Sequence, residues 1–369
     1  MSISVVVAGG GTAGHIEPAM NLADYLVAHV PGARVTALGT EKGLETRLVP
    51  SRGYPLELIP PVPLPRKPSK DLATLPGRLR GSIAATKEVL QAAQADVVVG
   101  FGGYVSIPAY FAARSLKIPI VIHEANAKPG LANRVGARFT PYIAENYAGS
   151  LPGAVRLGLP LRSAISGLDR AEVRGQGRTF FGLDPELPCV LVFGGSQGAK
   201  RLNEAVWGAL PALADRPISI LHAVGPKVAD SDVPDPPGGA CQYVPLSYID
   251  RMDLAYAAAD LTVCRSGAMT CGEIAAVGLP AVYVPFPIGN GEQRFNAEPV
   301  VAAGGGELVD DAAMTSGLFT EVIGDLLSDR QRLSDMSSAA AAYGVRDGDA
   351  RLARLVLQAV RASGGRADD

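Results

Sequence analysis

Apolar residues along this chain recur in two alternating rhythms. Short β-branched runs give way to longer stretches with apolar positions three and four apart, the pattern of parallel βαβ units. The run Ile3 to Ala8 leads into Gly9-Gly-Gly-Thr-Ala-Gly-His15 and then a predicted helix with Ala19, Leu22, Ala23, Leu26, Val27 and Val30 on one face. The same order returns at Cys189 to Phe193, followed by Gly194-Gly-Ser-Gln-Gly-Ala199 and the stripe Leu202, Ala205, Val206, Ala209, Leu210 and Leu213. Further strands are expected at Arg34 to Leu38, Val97 to Phe101, Pro119 to Ile122 and Tyr142 to Glu145, then at Ile218 to Val224, Leu261 to Cys264 and Ala281 to Pro285. A strand, glycine loop and helix occurring twice in 369 residues reads as two α/β domains.

The turn-forming Gly158-Leu-Pro160 marks the expected junction, giving domains 1–161 and 162–344 with the active site in the cleft between them. A last helix, 345–362, carries a stripe of Leu352, Leu355, Val356 and Ala359 that needs a surface to cover, and is expected to pack back on the first domain. Ser363 to Asp369 are expected to fray.

Composition narrows the classes. A 47% hydrophobic chain with 43 glycines and 29 prolines suits a well-buried α/β protein with many tight turns. A net charge of -2 gives no electrostatic case for nucleic acid, so an anionic partner has to meet a local basic patch. Cys189, Cys241, Cys264 and Cys271 show no CxxC pair and read as buried thiols of a reducing compartment. The first apolar run has no basic segment before it, and no apolar stretch approaches the roughly 20 residues that span a bilayer, so a cytoplasmic protein is expected.

The glycine loops carry the first chemistry. A glycine loop between strand and helix brings the backbone close to a ligand, and the helix start behind it offers unpaired N–H groups to an anion. Gly9, Gly11 and Gly14 fit the dinucleotide GxGxxG spacing, with Glu41 placed to meet a ribose. That reading points to a nicotinamide enzyme, whereas the loops Phe101-Gly-Gly-Tyr-Val-Ser106 and Gly194 to Ala199 suit ligand phosphates met from two halves. Tight βα turns alone also require glycine.

After the strand at Leu261 to Cys264, Arg265-Ser-Gly-Ala-Met-Thr-Cys-Gly-Glu273 turns into a helix ending at Gly278, with Ser266 or Thr270 as its cap. Thr270 and Glu273 fit a capping box, and Glu273 can equally accept both hydroxyls of a ribose. Gln293 and Asn296, near the start of the next helix, can grip sugar hydroxyls because an amide both donates and accepts.

Gly10-Gly-Thr-Ala-Gly-His15, Phe101 to Ser106, His123-Glu-Ala-Asn126, Gly194 to Ala199, Ser266 to Glu273 and Gln293-Arg-Phe-Asn-Ala297, in this order, give the sequence a resemblance over nearly its whole length. It resembles the MurG family of bacterial N-acetylglucosaminyltransferases, GT-B glycosyltransferases that make lipid II from lipid I. The resemblance implies two Rossmann-like domains facing each other across a cleft, the N-terminal one for the lipid acceptor and the C-terminal one for the UDP-sugar. It implies that Ile249 contacts uracil, Glu273 the ribose, Ser196 with the Ala268, Met269 and Thr270 backbone the diphosphate, and Gln293 the sugar. Thr12, Ala13, Gly14, Asn126 and Arg162 are implied to complete the donor site or serve the acceptor, and Gly102, Gly103 and Tyr104 are candidates for acceptor or phosphate. Two positions depart from the usual pattern: Ala13 replaces a glycine and Glu292 replaces a second glutamine.

Transfer from an α-linked UDP-sugar to a β-linked product requires inversion and one base. His15 is the candidate base for the acceptor 4-hydroxyl; the alternatives are a loop brace or an acceptor-phosphate ligand, with His123 and Glu124 as runners-up. Arg162 can meet a phosphate. No DxD pair stands near the donor motifs, so no cofactor and no tightly bound metal are expected, UDP-N-acetylglucosamine being a substrate. Expected partners are lipid I, undecaprenyl-pyrophosphoryl-MurNAc-pentapeptide, other wall-synthesis proteins and an anionic membrane surface on the inner face of the plasma membrane. For that surface the candidates are Leu75, Arg78, Leu79 and Arg80, following Arg66-Lys-Pro-Ser-Lys70 and Leu72 and preceding Ile83; the alternative is a proline-rich loop leading into an ordinary solvated helix. Rival functions are a nicotinamide oxidoreductase, a UDP-sugar epimerase of the same architecture and a non-catalytic nucleotide-binding module.

Overall fold

The computed structural model describes residues 2–62, 71–195, 198–287 and 291–364, with only the backbone of 71–73. It divides into two compact units, Met1–Leu161 with Asp347–Asp369, and Arg162–Arg346.

Each unit is built on a parallel sheet. The first contains β1 (Ser4–Gly9), β2 (Arg34–Gly39), β3 (Leu56–Leu58), β4 (Val97–Gly102), β5 (Ile120–Glu124), β6 (Ile143–Glu145) and β7 (Val155–Arg156), in the order β3-β2-β1-β4-β5-β6-β7. The second contains β8 (Cys189–Phe193), β9 (Ser219–Ala223), β10 (Gln242–Leu246), β11 (Leu261–Cys264), β12 (Ala281–Tyr283) and β13 (Gly306–Leu308), in the order β10-β9-β8-β11-β12-β13. Cores on both faces explain why the central strands are unbroken apolar runs. Val5 and Val7 pack in one core with Ile16, Leu22 and Leu26, while Val6 and Ala8 pack in the other with Ala109 and Tyr110.

Strand order reverses between β1 and β4 and again between β8 and β11. Ligand sites of parallel sheets form outside the strand carboxyl ends at such reversals. The loops after β1 and β4 therefore come together: a Cβ at Gly103, whose φ is +83°, would stand 2.2 Å from the Gly10 carbonyl oxygen.

The last helix, Gly348–Ala362, shares the first unit's core through Leu352, Val356 and Ala359. It begins three residues after 345, and Arg346 donates instead to the Ala276 and Leu168 carbonyls of the second unit. On the helix Ala13–His29, Val27 is 50% exposed because Ile16 and Met20 complete the buried stripe, and Val30 is an extended C-cap. Strands β3, β7 and β13 escape sequence reading because two or three residues carry no periodicity, and β10 because it contains Pro245, tolerated on a sheet edge. No helix among the described residues is long and apolar enough to cross a membrane.

Candidate functional site

In the first unit the helix Ala13–His29 starts after an extended Thr12, with no side-chain cap, so Thr12, Ala13 and Gly14 form its opening turn. His15 Nδ1 lies 3.2 Å from the Gly10 carbonyl oxygen and 3.2 Å from Thr12 Oγ1. A carbonyl only accepts, so Nδ1 carries the proton and Nε2 the lone pair. Burial lowers the imidazole below its ordinary 6.5, against the bond to Gly10 that raises it, leaving Nε2 able to accept a proton at neutral pH. The ring lies against Gly102, where a Cβ would stand 3.1 Å from Nε2. Gly102 has φ +99°, and its N–H donates to Ser106 Oγ, which in turn donates to the Ala8 carbonyl. Tyr104 is exposed beside Gly11.

A carboxylate that sequence reading missed braces this loop. Glu45, completely buried, accepts hydrogen bonds from Gly11 N at 3.0 Å, Thr40 N at 2.8 Å and Thr40 Oγ1 at 3.1 Å. Glu41, the residue placed to meet a ribose, is exposed beyond the end of β2. Glu45 opens a short helix of mixed composition, Glu45–Ser51, and nothing in the sequence distinguishes it from a solvated acid.

The runners-up are redirected. His123 is completely buried, donates from Nε2 to the Gly158 carbonyl at 2.7 Å, and is held at about 4 by burial. Its place inside the sheet denies it a substrate. Glu124 accepts from Asn126 N, Gly130 N and Asn133 Nδ2 at 2.9 to 3.1 Å, so its carboxylate shapes the loop after β5 and orients Asn126, a half-buried neighbour. Burial raises the Glu124 carboxyl, and these bonds oppose the rise.

On the helix Asp71–Ala92, Leu75, Arg78 and Leu79 are half-buried and Arg80 is exposed, while Ile83 packs against the core. Arg66, Lys67 and Lys70 lie outside the described residues.

In the second unit the helix Ala268–Val277 opens at Gly267 without a side-chain cap. Neither Ser266 nor Thr270 caps it, and no capping box forms. Glu273 is the sixth residue of the helix, beyond reach of its start, and its carboxylate turns to Tyr256, whose hydroxyl donates to Oε2 at 2.9 Å. Arg162 Nη2 stands 3.8 Å from Glu273 Oε1. The first-turn N–H groups of Ala268, Met269 and Thr270 therefore point into an uncapped helix start, the arrangement that suits a phosphate.

Gln293 ties two loops together: its Oε1 accepts from Phe286 N at 2.9 Å and Ser266 N at 3.3 Å. Asn296 is fully buried and donates to the Ser266 carbonyl, so it secures this loop instead of gripping a sugar. Ile249 is buried, 5% exposed over the whole residue. Ser196 lies outside the described residues. In the same glycine loop, Gly198 packs on the Val224 carbonyl at φ +74°. That carbonyl accepts from Asn203 Nδ2 at 2.8 Å, and Asn203 Oδ1 lies 3.1 Å from His222 Nε2. The His222 Nδ1 is 3.1 Å from the Tyr243 hydroxyl, and Trp207 Nε1 donates to that hydroxyl. Among the described residues no three His, Cys, Asp or Glu side chains gather as metal ligands.

The arrangement matches known proteins closely. The glycosyltransferase family 28 N-terminal domain matches residues 5–144 and the glycosyltransferase family 28 C-terminal domain residues 189–352. A UDP-N-acetylglucosamine--N-acetylmuramyl-(pentapeptide) pyrophosphoryl-undecaprenol N-acetylglucosamine transferase of Streptomyces coelicolor is 58% identical over 359 residues, 97% of this chain and 98% of that protein. The crystal structure of Acinetobacter baumannii MurG is 28% identical with a TM-score of 0.79, over 96% of this chain and 99% of that one. A UDP-GlcNAc 2-epimerase from Neisseria meningitidis, 15% identical with a TM-score of 0.67 over 97% of this chain and 100% of that one, shares the fold alone.

Proposed function

From the premise that this chain belongs to glycosyltransferase family 28 and has its GT-B fold of two Rossmann-like domains, we propose that it makes lipid II. It is a glycosyltransferase that moves N-acetylglucosamine from UDP-N-acetylglucosamine to the C4 hydroxyl of the N-acetylmuramyl residue of lipid I. One observation carries the reading: 56–58% sequence identity, over nearly the full length, with transferases whose names state that reaction.

The residues supply a chemical route. His15 Nε2, with its proton fixed on the loop side, takes the proton of the attacking hydroxyl as the bond to the sugar forms on the face opposite the departing UDP. Negative charge grows on the diphosphate as that bond breaks. The uncapped N–H groups of Ala268, Met269 and Thr270 stabilise it, with Arg162 near enough to Glu273 to meet the same nucleotide. Glu273 accepts the ribose hydroxyls, the donor end of the Gln293 amide takes a sugar oxygen, and Ile249 contacts uracil. Ser196 joins the diphosphate contacts, Thr12, Ala13, Gly14 and Asn126 complete the donor site or serve the acceptor, and Gly102, Gly103 and Tyr104 meet the acceptor or a phosphate. With backbone dipoles in that role, UDP departure is expected to depend on a metal modestly or not at all. The acceptor brings the enzyme to an anionic membrane surface at the inner face of the plasma membrane, where Leu75, Arg78, Leu79 and Arg80 make the contact.

The test is transfer of labelled N-acetylglucosamine from its UDP donor to a soluble lipid I analogue, with the anomeric configuration of the product read by NMR. A β-linked disaccharide is expected. Absence of transfer together with 2-epimerisation of the donor would assign the chain to the epimerases that share its fold.

A further inference from the structure

Tyr256 has no part in the chemistry above, yet it makes a short, fully buried contact with a residue that does. It sits on the helix Met252–Ala258 and is 1% exposed. Its ring lies 6.2 Å from that of Phe193, the last residue of β8. Its backbone carbonyl accepts from Arg170 Nε at 3.0 Å, and the same guanidinium holds the Gly278 and Ala259 carbonyls. The tyrosine is thus fixed at its backbone and along its ring, and its hydroxyl reaches Glu273 Oε2 at 2.9 Å.

We propose that Tyr256 is the positioning residue that sets the orientation of the Glu273 carboxylate, and so gives the donor site its preference for a ribonucleotide over a 2′-deoxyribonucleotide. This rests on the reading of Glu273 as the ribose acceptor. A carboxylate at the end of a glutamate side chain turns readily about its last bond, and only some orientations face both hydroxyls of a diol. Glu273 has a second attraction: Arg162, 40% exposed, lies 3.8 Å from Oε1. Without a fixed donor on Oε2 the carboxylate turns toward that guanidinium. A tyrosine hydroxyl holds the orientation and leaves the negative charge in place, and since each carboxylate oxygen has two acceptor sites, Oε2 can still take a ribose hydroxyl. Burial keeps the tyrosine protonated, so it remains a donor at every working pH.

The experiment compares UDP and 2′-deoxy-UDP as competitive inhibitors against UDP-N-acetylglucosamine in the full chain, Tyr256→Phe and Glu273→Gln. Hydrogen bonds to a charged group differ enough to give the parent a preference for UDP of roughly 10-fold to 100-fold. Tyr256→Phe is expected to shrink that preference to about 3-fold or less and raise the donor KM, with kcat at saturating donor nearly unchanged. If Tyr256→Phe keeps the full preference while Glu273→Gln loses it, Tyr256 is a packing residue and the proposal fails, although the ribose reading stands. If the parent shows no preference, or Glu273→Gln retains it, the ribose reading fails and takes the proposal with it. Should Tyr256→Phe not fold, Glu273→Asp withdraws the carboxylate from the hydroxyl with its charge intact. Retention of the preference in that variant overturns the proposal.

Discussion

His15 Nδ1, in the first turn of the helix Ala13–His29, lies 3.2 Å from the carbonyl oxygen of Gly10 in the loop before it, and this bond fixes which nitrogen of the ring is basic. His15→Ala is expected to lower kcat on the order of 100-fold with little change in donor KM, since only the proton transfer is lost. The base must be neutral to act, and burial places its pKa below 6.5. The rate should therefore hold at neutral pH and fall on acidification through a value under 6.5. An acidic limb centred at 7 or above in the kcat profile would count against His15.

Glu45 gives a second expectation. Replacing it by alanine leaves Gly11 N, Thr40 N and Thr40 Oγ1 without their acceptor, and each buried unmet donor costs about 1 to 3 kcal/mol. Urea unfolding should show a loss of several kcal/mol. In a variant that still folds, kcat should drop with donor KM little changed, because the disturbed loop leads into the helix turn that holds His15. Parent-like stability of Glu45→Ala would show that the loop holds itself.

Buried His123 and His222 make stability depend on pH in one direction. Burial depresses them to about 4 and about 3, against 6.5 in the unfolded chain. Below 6.5 the unfolded state binds protons that the folded state refuses, so stability is full above 6.5 and falls as pH drops toward those folded values. The loss is about 1.4 kcal/mol per pH unit for each histidine inside its window. Glu124, raised by burial, acts in the opposite sense. Comparison with His222→Gln isolates one histidine: between pH 6 and 4.5 the parent should lose more stability than the variant, and parallel curves would refute the assignment.

For the membrane face, Arg80→Glu is the cleanest variant, because Arg80 is exposed whereas Arg78 keeps Nε buried. A basic residue near an anionic leaflet contributes about 1 kcal/mol, so charge reversal at this site should weaken sedimentation with phosphatidylglycerol vesicles several-fold. Leu75→Ser with Leu79→Ser should weaken it further while UDP binding persists. Vesicle binding by the parent should also decline with salt. Equal binding by the folded parent and variants would move the membrane face elsewhere.

The repeating rhythm of apolar runs and glycine loops is local information, and it sufficed for two α/β units, for most central strands to within a residue or two, and for the motifs of the family. Cys189–Phe193 and the buried stripe from Leu202 to Leu213 could be read directly, because a strand or helix covered by a core must be apolar at positions set by its own geometry. Polar residues carry no such periodicity. Glu45, Glu124 and Glu273 are all acids near helix starts or loops, and the sequence does not distinguish a brace from a ligand.

What the sequence determined by itself, then, was the order of elements and the types of residue at the strand ends, since both follow from contacts between near neighbours. Tertiary structure alone decided which of those residues meet. The reversal of strand order at β1 and β4 sets Gly102 against His15, and the packing of the helix Met252–Ala258 brings Tyr256 to Glu273, 17 residues on. It also buried His123 and Asn296 beyond reach of any substrate. Parallel strands pair only after a long crossover, so the partners of a loop residue are fixed by sheet order and helix packing, which no local pattern of side chains encodes.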